Sequence, residues 1–553
     1  MTKDISRILE SGKAQLADRA RTLPPAFQRQ EPVRLAHAPW PGAPLNISAG
    51  LEPFESPLDA QTAGHLLRRT QFGAPIDQIN GLIGTGASDA VDGIIAAALD
   101  TTATPFPEKP AWADEIPPFN GTQEEIDAFV ANNIAWLYEF QDEWFALLMS
   151  VGLRERMTLF WHNHFATQYD DYFLAMHAYR YLKLMRENAF GNLKDFVRAV
   201  GKDPAMLEYL DGNTNRVGEP NENYGRELLE LFTMSPKDSA GNDNYSQQDI
   251  VEAARALTGW IIDYINHVGV FNPSRFDDGE KTILGQTGNW GYDDVVDIIF
   301  QERGTETAYF ICEKLYKEFV YAVPDPVIVD ELAQDLLIAN FEIEPVLTRL
   351  LKSAHFFDAA VIGAQLKSPI AMVTGMPVDV GQESTPEQLA FLRLAAIFLQ
   401  QDLLNPPNVA GWPGYRTWIS TTSLPIRLLL SDLILFGNNG EDLVDMTPIV
   451  AQLPGANSPN AAFELPVALA SYLLPVPLDT LDIGTVTEVF GGDLVNFPIP
   501  EEVLNGPAYA IDLAKIFLAG VPWYEWDLSA DIAPILLALY ARFLTQRPEF
   551  QLA

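Results

Sequence analysis

From about residue 61 to about residue 435, apolar residues recur at helical spacing in one segment after another, separated by short polar or proline-rich connectors. Segments patterned this way can bury their apolar faces only by packing helix against helix. No sustained run of alternating residues marks a sheet and no fixed-period repeat is present, although a few short strands could hide in the loops. The predicted fold is therefore predominantly α: a multi-helix, bundle-like core with long Pro/Gly-rich loops and few or no strands. Proline clusters in LPPAF, HAPWPGAPLN and LEPFESP mark residues 1–60 as a Pro-rich N-terminal arm wrapped over the surface. Residues 61–437 form the helical core. After Asn438 the composition shifts to Pro, Leu and Asp, so 438–553 is read as a C-terminal helical subdomain or wrap packed on the core, tied down by the apolar helix in DIAPILLALYARFLTQRPEF.

Charge sets the next constraint. Asp and Glu outnumber Lys and Arg 74 to 36, a formal net charge of -38, and such a field repels nucleic acid and anionic lipid. Cations, basic partners or a saline setting suit it, and solubility alone would also account for it. The single cysteine, Cys312, excludes an intramolecular disulfide and a thiolate cluster, and its place in AYFICEKLYKEF reads as an inert core thiol. No window is apolar enough for a membrane span, and the polar start MTKDISRILESGKAQLADRARTL lacks a signal-peptide run. The expected location is cytoplasmic. Export with a partner, or after loss of a leader, is the alternative.

Thr122 with Glu125 offers a capping box for a long framework helix. In the following LRERMTLFWHNHFAT, Leu153, Met157, Phe160, Trp161 and His164 share one helical face, whereas His162 projects roughly 200° away at about 100° per residue. Two histidines so placed cannot share a metal on a continuous helix. His164 is a candidate acid/base or ligand, with a buried, hydrogen-bonded imidazole as the plainer reading; His162 is a weaker candidate for substrate contact.

Further on, DPAMLEYLDG should be a short helix entered through Asp203 and Pro204. The loop after it places Asp211, Asn213, Asn215, Glu219 and Glu222 at relative positions 1, 3, 5, 9 and 12, the side-chain positions of a helix-loop-helix calcium loop. A divalent cation, calcium or another, is the cofactor this spacing would take. Against it, Arg216 stands where the sharp turn wants glycine, and Asp and Asn are common in any turn. In the next helix, NENYGRELLELFTM, Tyr224, Leu228, Leu231 and Phe232 make the apolar stripe, and Glu222, Arg226 and Glu230 make an i, i+4, i+8 ladder. Glu227 lies at the edge of the stripe, where its carboxylate would be partly desolvated. Arg226 and Glu227 join His164 as catalytic candidates, the plainer reading of the ladder being solvated ion pairs. Ser246 with Asp249 caps the helix SQQDIVEAARALTGW, and Arg255 lies off its apolar face.

Residues 306–320 and 326–357 read as two amphipathic helices, with His355 ending the second. PPNVAGWPGYRTWISTTSLPIR is too rich in Pro, Gly and Trp for a helix. Its Trp412 and Trp418 could stack on a carbohydrate or ring-shaped ligand, or could plug the core.

Taken together, FWHNHFAT, DPAMLEYLD, PNENYGRELLELFTM, ARALTGW, DDGEKTILG, LKSP, PPNVAGWPGYRTWI and PEFQLA resemble, in order from about residue 61 onward, the bacterial family catalogued as domain of unknown function 1800. The resemblance implies no agreed activity. It does imply frequent export and a sulfatase-like companion protein of the alkaline phosphatase superfamily encoded nearby. Where the family's HD-x-G-x-K pattern usually has histidine, this chain has Phe276, leaving Asp277, Asp278, Glu280 and Lys281 as a charged cluster that is either substrate-binding or a solvated turn. No Gly-rich phosphate loop, G-x-S-x-G elbow or H-E-x-x-H helix appears, nor any nucleotide or flavin signal. The leading expectation is a metal-assisted, hydrolase-like enzyme using His164, Glu227 and Arg226, with His162, Arg255, Asp277, Lys281, Trp412 and Trp418 contacting substrate. A non-catalytic binding or assembly partner, for a polysaccharide or the sulfatase-like companion, is the alternative.

Overall fold

Thr122 and Glu125 do form a capping box, and the helix they start, Gln123–Ser150, is the longest among the residues described by this computed structural model, namely 2–22, 43–437, 443–476 and 492–553. At 1.5 Å per residue it spans roughly 42 Å. One face buries Phe129, Val130, Ile134, Leu137, Phe140, Trp144, Phe145 and Leu148. Helices Thr2–Thr22, Leu153–His164, Ala175–Glu187, Pro369–Asp379 and Pro386–Phe398 all pack along it. The architecture is predominantly helical, with two antiparallel hairpins as the only sheets among the described residues. In one, Trp260 pairs with Phe271 and Asp263 with Val268; in the other, Lys281 pairs with Gly288 and Ile283 with Gln286. The second turns at Leu284 and Gly285, whose φ of 47° and 85° suit a two-residue hairpin loop.

The N-terminal stretch divides in two. Thr2–Thr22 is a helix seated on Gln123–Ser150, with Ile5 and Ile8 buried, rather than part of a Pro-rich arm, because the prolines all fall after Thr22. The proline clusters of 23–42 lie outside the described residues, and 43–59 is largely extended. The predicted helix over 326–357 is likewise two, Pro326–Ile338 and Ile343–Lys352, because Asn340 and Phe341 adopt φ of 51° and 66° and break the register. In the C-terminal stretch, helices Ala461–Leu473, Ala508–Leu518 and Ala533–Thr545 pack together, and the last also lies on Ser423–Phe436. Residues 477–491, which include most of LPVPLDTLDIGTVTEVFGGDL, lie outside the described residues. No described helix is long and apolar enough to cross a membrane.

Leu153–His164 is buried around nearly its whole circumference, charged residues included. Glu155 is fully buried; it pairs with Arg186 and accepts a hydrogen bond from Trp144 Nε1 at 3.0 Å. Arg186 also reaches the Thr104 carbonyl at 2.7 Å, and Arg154 reaches those of Ala98 at 2.6 Å and Arg186 at 3.1 Å. Four segments are thus fastened to one buried carboxylate. Glu155→Ala, which leaves Arg186 charged and uncompensated, is expected to lower unfolding free energy by about 3–5 kcal/mol in urea titration, with part of the loss recovered in Glu155→Ala/Arg186→Met. An unchanged midpoint in the single variant would refute the clamp.

A candidate anion-binding cavity between helices

The helix fastened by Glu155 presents Arg156, Leu159, Phe160, Asn163 and His164, spaced 3, 1, 3 and 1 residues apart, to a cavity of about 920 Å³. Its other walls are the end of helix Ala60–Thr70, helix Gly304–Phe319, the segment 365–368 with helix Pro369–Asp379, and the loop 410–418. Seven basic side chains line it: Arg68, Arg69, Arg156, Lys314 and Lys367, with Lys317 and Arg416. Only two acidic side chains, Glu318 and Asp379, accompany them. In the whole chain acids outnumber bases 74 to 36, so the cavity inverts the charge balance of the protein around it.

Several of these cations have no counter-ion among the described residues. Arg69 is 1% exposed; its Nη2 donates to the Val361 carbonyl at 3.1 Å, but Nε and Nη1 have no acceptor among the described residues. Burial first, and Arg156 second, lower the guanidinium to about 9. Lys367 is held by backbone pairing with the chain's last residues, its N–H donating to the Gln551 carbonyl at 2.8 Å, while buried Arg427 donates to the Lys367 carbonyl at 3.0 Å. The Lys367 ammonium sits 3.8 Å from the Phe550 ring centroid, and burial lowers it to about 7, partly opposed by Asp379.

His164 and Lys314 face each other. His164 Nε2 lies 3.2 Å from the Phe232 carbonyl, so the proton belongs on Nε2 and Nδ1 is left as an acceptor for Lys314 Nζ, 2.8 Å away. Phe232 is in the last turn of a π-helical segment, Leu228–Thr233, where carbonyls run out of intrahelical partners. Burial, then Lys314, keep the imidazole neutral, well below its ordinary value, and burial followed by Lys317 lowers the Lys314 ammonium to about 7.

The tryptophan loop closes one side. Asn163 Oδ1 accepts from the Trp412 N–H at 2.7 Å, an approach that leaves no room for a Cβ on Gly411, whose φ is 78°. Trp412 and Trp418 are both largely buried, as core-plugging rings would be, and both line the cavity. His162 does not line it. Its ring is fully buried behind Trp412, stacked at 5.6 Å and flanked by Trp144 at 5.5 Å, and burial holds it neutral with a pKa of about 3.

The other predicted site residues lie elsewhere. Of the catalytic trio only His164 reaches the cavity. Arg226 pairs with Glu222 at 3.3 Å and with Gln247 at 3.5 Å on the surface. Glu227 is half-buried at the stripe's edge, its carboxyl pushed up by burial and then by Glu230. The ladder stops at Arg226 because the π turn swings Glu230 away to accept from the Tyr245 hydroxyl at 3.1 Å.

In the calcium-like loop the five side chains do not converge. Asn215 spends both carboxamide atoms on backbone, donating to the Ala254 carbonyl at 3.0 Å and accepting from Asn221 N–H at 2.9 Å. Asn213 donates to Glu208 at 2.9 Å, Arg216 draws Glu219 outward, and Glu222 accepts from Gln247 at 2.9 Å. Asp211 sits at φ 56° with no side-chain cap. Among the described residues, no group of three or more His, Cys, Asp or Glu side chains is placed to hold a metal ion.

Arg255, Asp277 and Lys281 form a separate fastening. Arg255 grips Asp277 bidentately at 2.8 and 3.0 Å, and Lys281 Nζ donates to the Asp277 and Gly279 carbonyls at 2.5 and 2.9 Å. Phe276 occupies its place by lying 4.8 Å under that ammonium. Asp278 and Glu280 are exposed, as a solvated turn requires. A shallower groove near Gly50 offers no free cation: its Arg349 pairs with Glu331 and Asp335, and its Lys352 with Asp92.

The family model described as "Protein of unknown function (DUF1800)" matches residues 65–551. The chain belongs to that family. No curated protein and no solved structure matches it. In this DUF1800 member, then, the cavity is the best-built site, and its Arg69, Lys314 and Lys367 were not singled out from sequence. The available signal was a cation inside an apolar run, as in HLLRRT, ICEKLYKEF and LKSPIAMV.

Asn215→Ala should cost about 1–3 kcal/mol for its two buried hydrogen bonds, with an equal loss of melting temperature in calcium and in chelator; a calcium-dependent loss would contradict the hydrogen-bonded assignment. Arg255 holds the Asp277 carboxyl below the usual carboxylate range. Its contribution is therefore complete above the unfolded pKa and fades as pH falls through the lower folded value. Asp277→Asn should reduce stability by about 1.5–3 kcal/mol above pH ~5, with the gap to wild type narrowing below pH ~4 in urea titrations.

Proposed function

We propose that this DUF1800 protein takes an anionic organic ligand into the cavity and acts on it through His164 and Lys314. The observation that carries the reading is Arg69, nearly fully buried at the cavity wall with two guanidinium nitrogens that find no acceptor among the described residues. A buried charge without a partner is expensive, and an anionic group accepting from Arg69 would offset that cost. Support also comes from the basic lining, which would focus anions against the protein's overall field. The Trp412 and Trp418 faces suit the apolar side of a sugar or other ring. The reading keeps His164 from the predicted trio and puts Lys314 and Arg69 in the places of Glu227 and Arg226. Hydrolysis remains one chemistry open to such a site.

The test is calorimetric titration with sulfate, phosphate, D-glucuronate and D-glucose at low salt. The anions should bind and glucose should not. Arg69→Met, checked for unchanged circular dichroism, should weaken anion binding by roughly tenfold or more, about 1.4 kcal/mol or above, as expected for a lost charge-assisted hydrogen bond. Equal binding of glucose and glucuronate, or unaltered anion affinity in folded Arg69→Met, would refute the proposal.

A further inference from the structure

We infer that Lys314 is a carbonyl-capturing amine: the cavity accepts an anionic aldehyde or keto compound, and Lys314 Nζ condenses with its carbonyl carbon to give a Schiff base. The inference rests on the proposed anion site and assigns that site's substrate class.

The arrangement around Lys314 is that of an amine deprived of a counter-ion. Its Nζ lies 2.8 Å from Nδ1 of a neutral imidazole, His164, and 4.6 Å from the Phe310 ring centroid. The carboxylates nearby are engaged by other cations. Glu313 pairs with Lys317, and Glu318 accepts from Arg156 at 2.7 Å. On helix Pro326–Ile338, packed against the Lys314 helix, Glu331 and Asp335 are both held by Arg349. In the π-helical segment on another side, Glu230 accepts from Tyr245. Arg69, Arg156 and Lys317 share the cavity wall and oppose a further positive charge. Burial first and Lys317 second lower the ammonium to about 7, partly opposed by Glu313.

The hydrogen-bond direction matters. Because His164 Nε2–H points at the Phe232 carbonyl, Nδ1 can only accept, so it takes an N–H from Lys314 and leaves the amine lone pair unused. Lys314 is only partly covered and lines the cavity. Lys367, the other desolvated lysine, is 7% exposed and lies 3.8 Å from the Phe550 ring centroid, which leaves its amine the less accessible of the two. In the condensation the Nζ lone pair attacks the carbonyl carbon, a C–N bond forms, and the carbonyl oxygen takes up a proton. Loss of water then gives C=N; both amine hydrogens leave with the oxygen. No oxidant, reductant or further cofactor enters the balance.

The test is reductive trapping on the full chain, read by peptide mass spectrometry, with glyoxylate as anionic aldehyde and formaldehyde as neutral one, each with cyanoborohydride at pH 7. With a pKa of about 7, roughly half of Lys314 is neutral there, against under about a thousandth of an ordinary lysine. Lys314 should therefore be labelled by both probes at least roughly tenfold faster than Lys317, three residues away, even after its lower intrinsic basicity is allowed for. Sulfate should slow labelling by glyoxylate and not by formaldehyde, and Lys314→Met should remove the mass shift. Equal labelling of Lys317 and Lys314 by both probes, or preferential labelling of Lys367, would overturn the reactive amine. If sulfate still binds in an Arg69-dependent way in that case, the anion site stands without it. Selective formaldehyde labelling with no advantage for glyoxylate and no effect of sulfate would overturn the anionic substrate class.

Discussion

The buried pair between Glu155 and Arg186 is the constraint on which the site depends. A charge at zero exposure is tolerated only when its hydrogen bonds are complete, and Glu155 completes them with Arg186 and Trp144. That requirement fixes the rotation of helix Leu153–His164 about its own axis. Nine residues and two and a half turns later, the same rotation aims His164 at Lys314 and places Arg156 and Asn163 beside it. Asn163 then pins Trp412, and through Trp412 the loop that closes the cavity.

The cavity concentrates cations in a protein dominated by acids. Among the described residues Lys314 and Lys367 have no ion-pair partner: Glu313 pairs with Lys317, Glu318 serves Arg156 and Asp379 accepts from the Ala74 N–H at 2.7 Å. Desolvation, only partly opposed by Glu313 and Asp379, lowers Lys314 and Lys367 toward neutrality. The same absence of partners that makes these groups costly to the fold makes them available to a ligand.

Local rules worked where the chemistry was local. The caps at Thr122, Asp203 and Ser246 and the dominance of helix follow from short spacings, and the structure has them. Spacing failed where a neighbour distant in sequence claimed the side chain. Asn215 fits a calcium position, yet Ala254 takes its amide; Asp277 and Lys281 look like a charged site, yet Arg255 and the hairpin backbone use them. The Glu222, Arg226 and Glu230 ladder assumed a uniform α-helical register, which the π turn from Leu228 to Thr233 interrupts. Lys314 and Arg69 are not distinguishable in the sequence because cations in amphipathic helices ordinarily reach water, and nothing in ICEKLYKEF says that another helix stands in the way.

By itself the sequence determined the helical class, the family, the inert Cys312 and the opposite facing of His162 and His164, since each depends on composition, an ordered run of motifs or the 3.6-residue period. Only the tertiary structure decided which charges would be left without partners. Burial and counter-ions come from segments up to some hundreds of residues apart, as Arg69 against Val361 and Lys314 against His164 illustrate. A side chain's charge state follows from that surrounding set rather than from its own place in the chain.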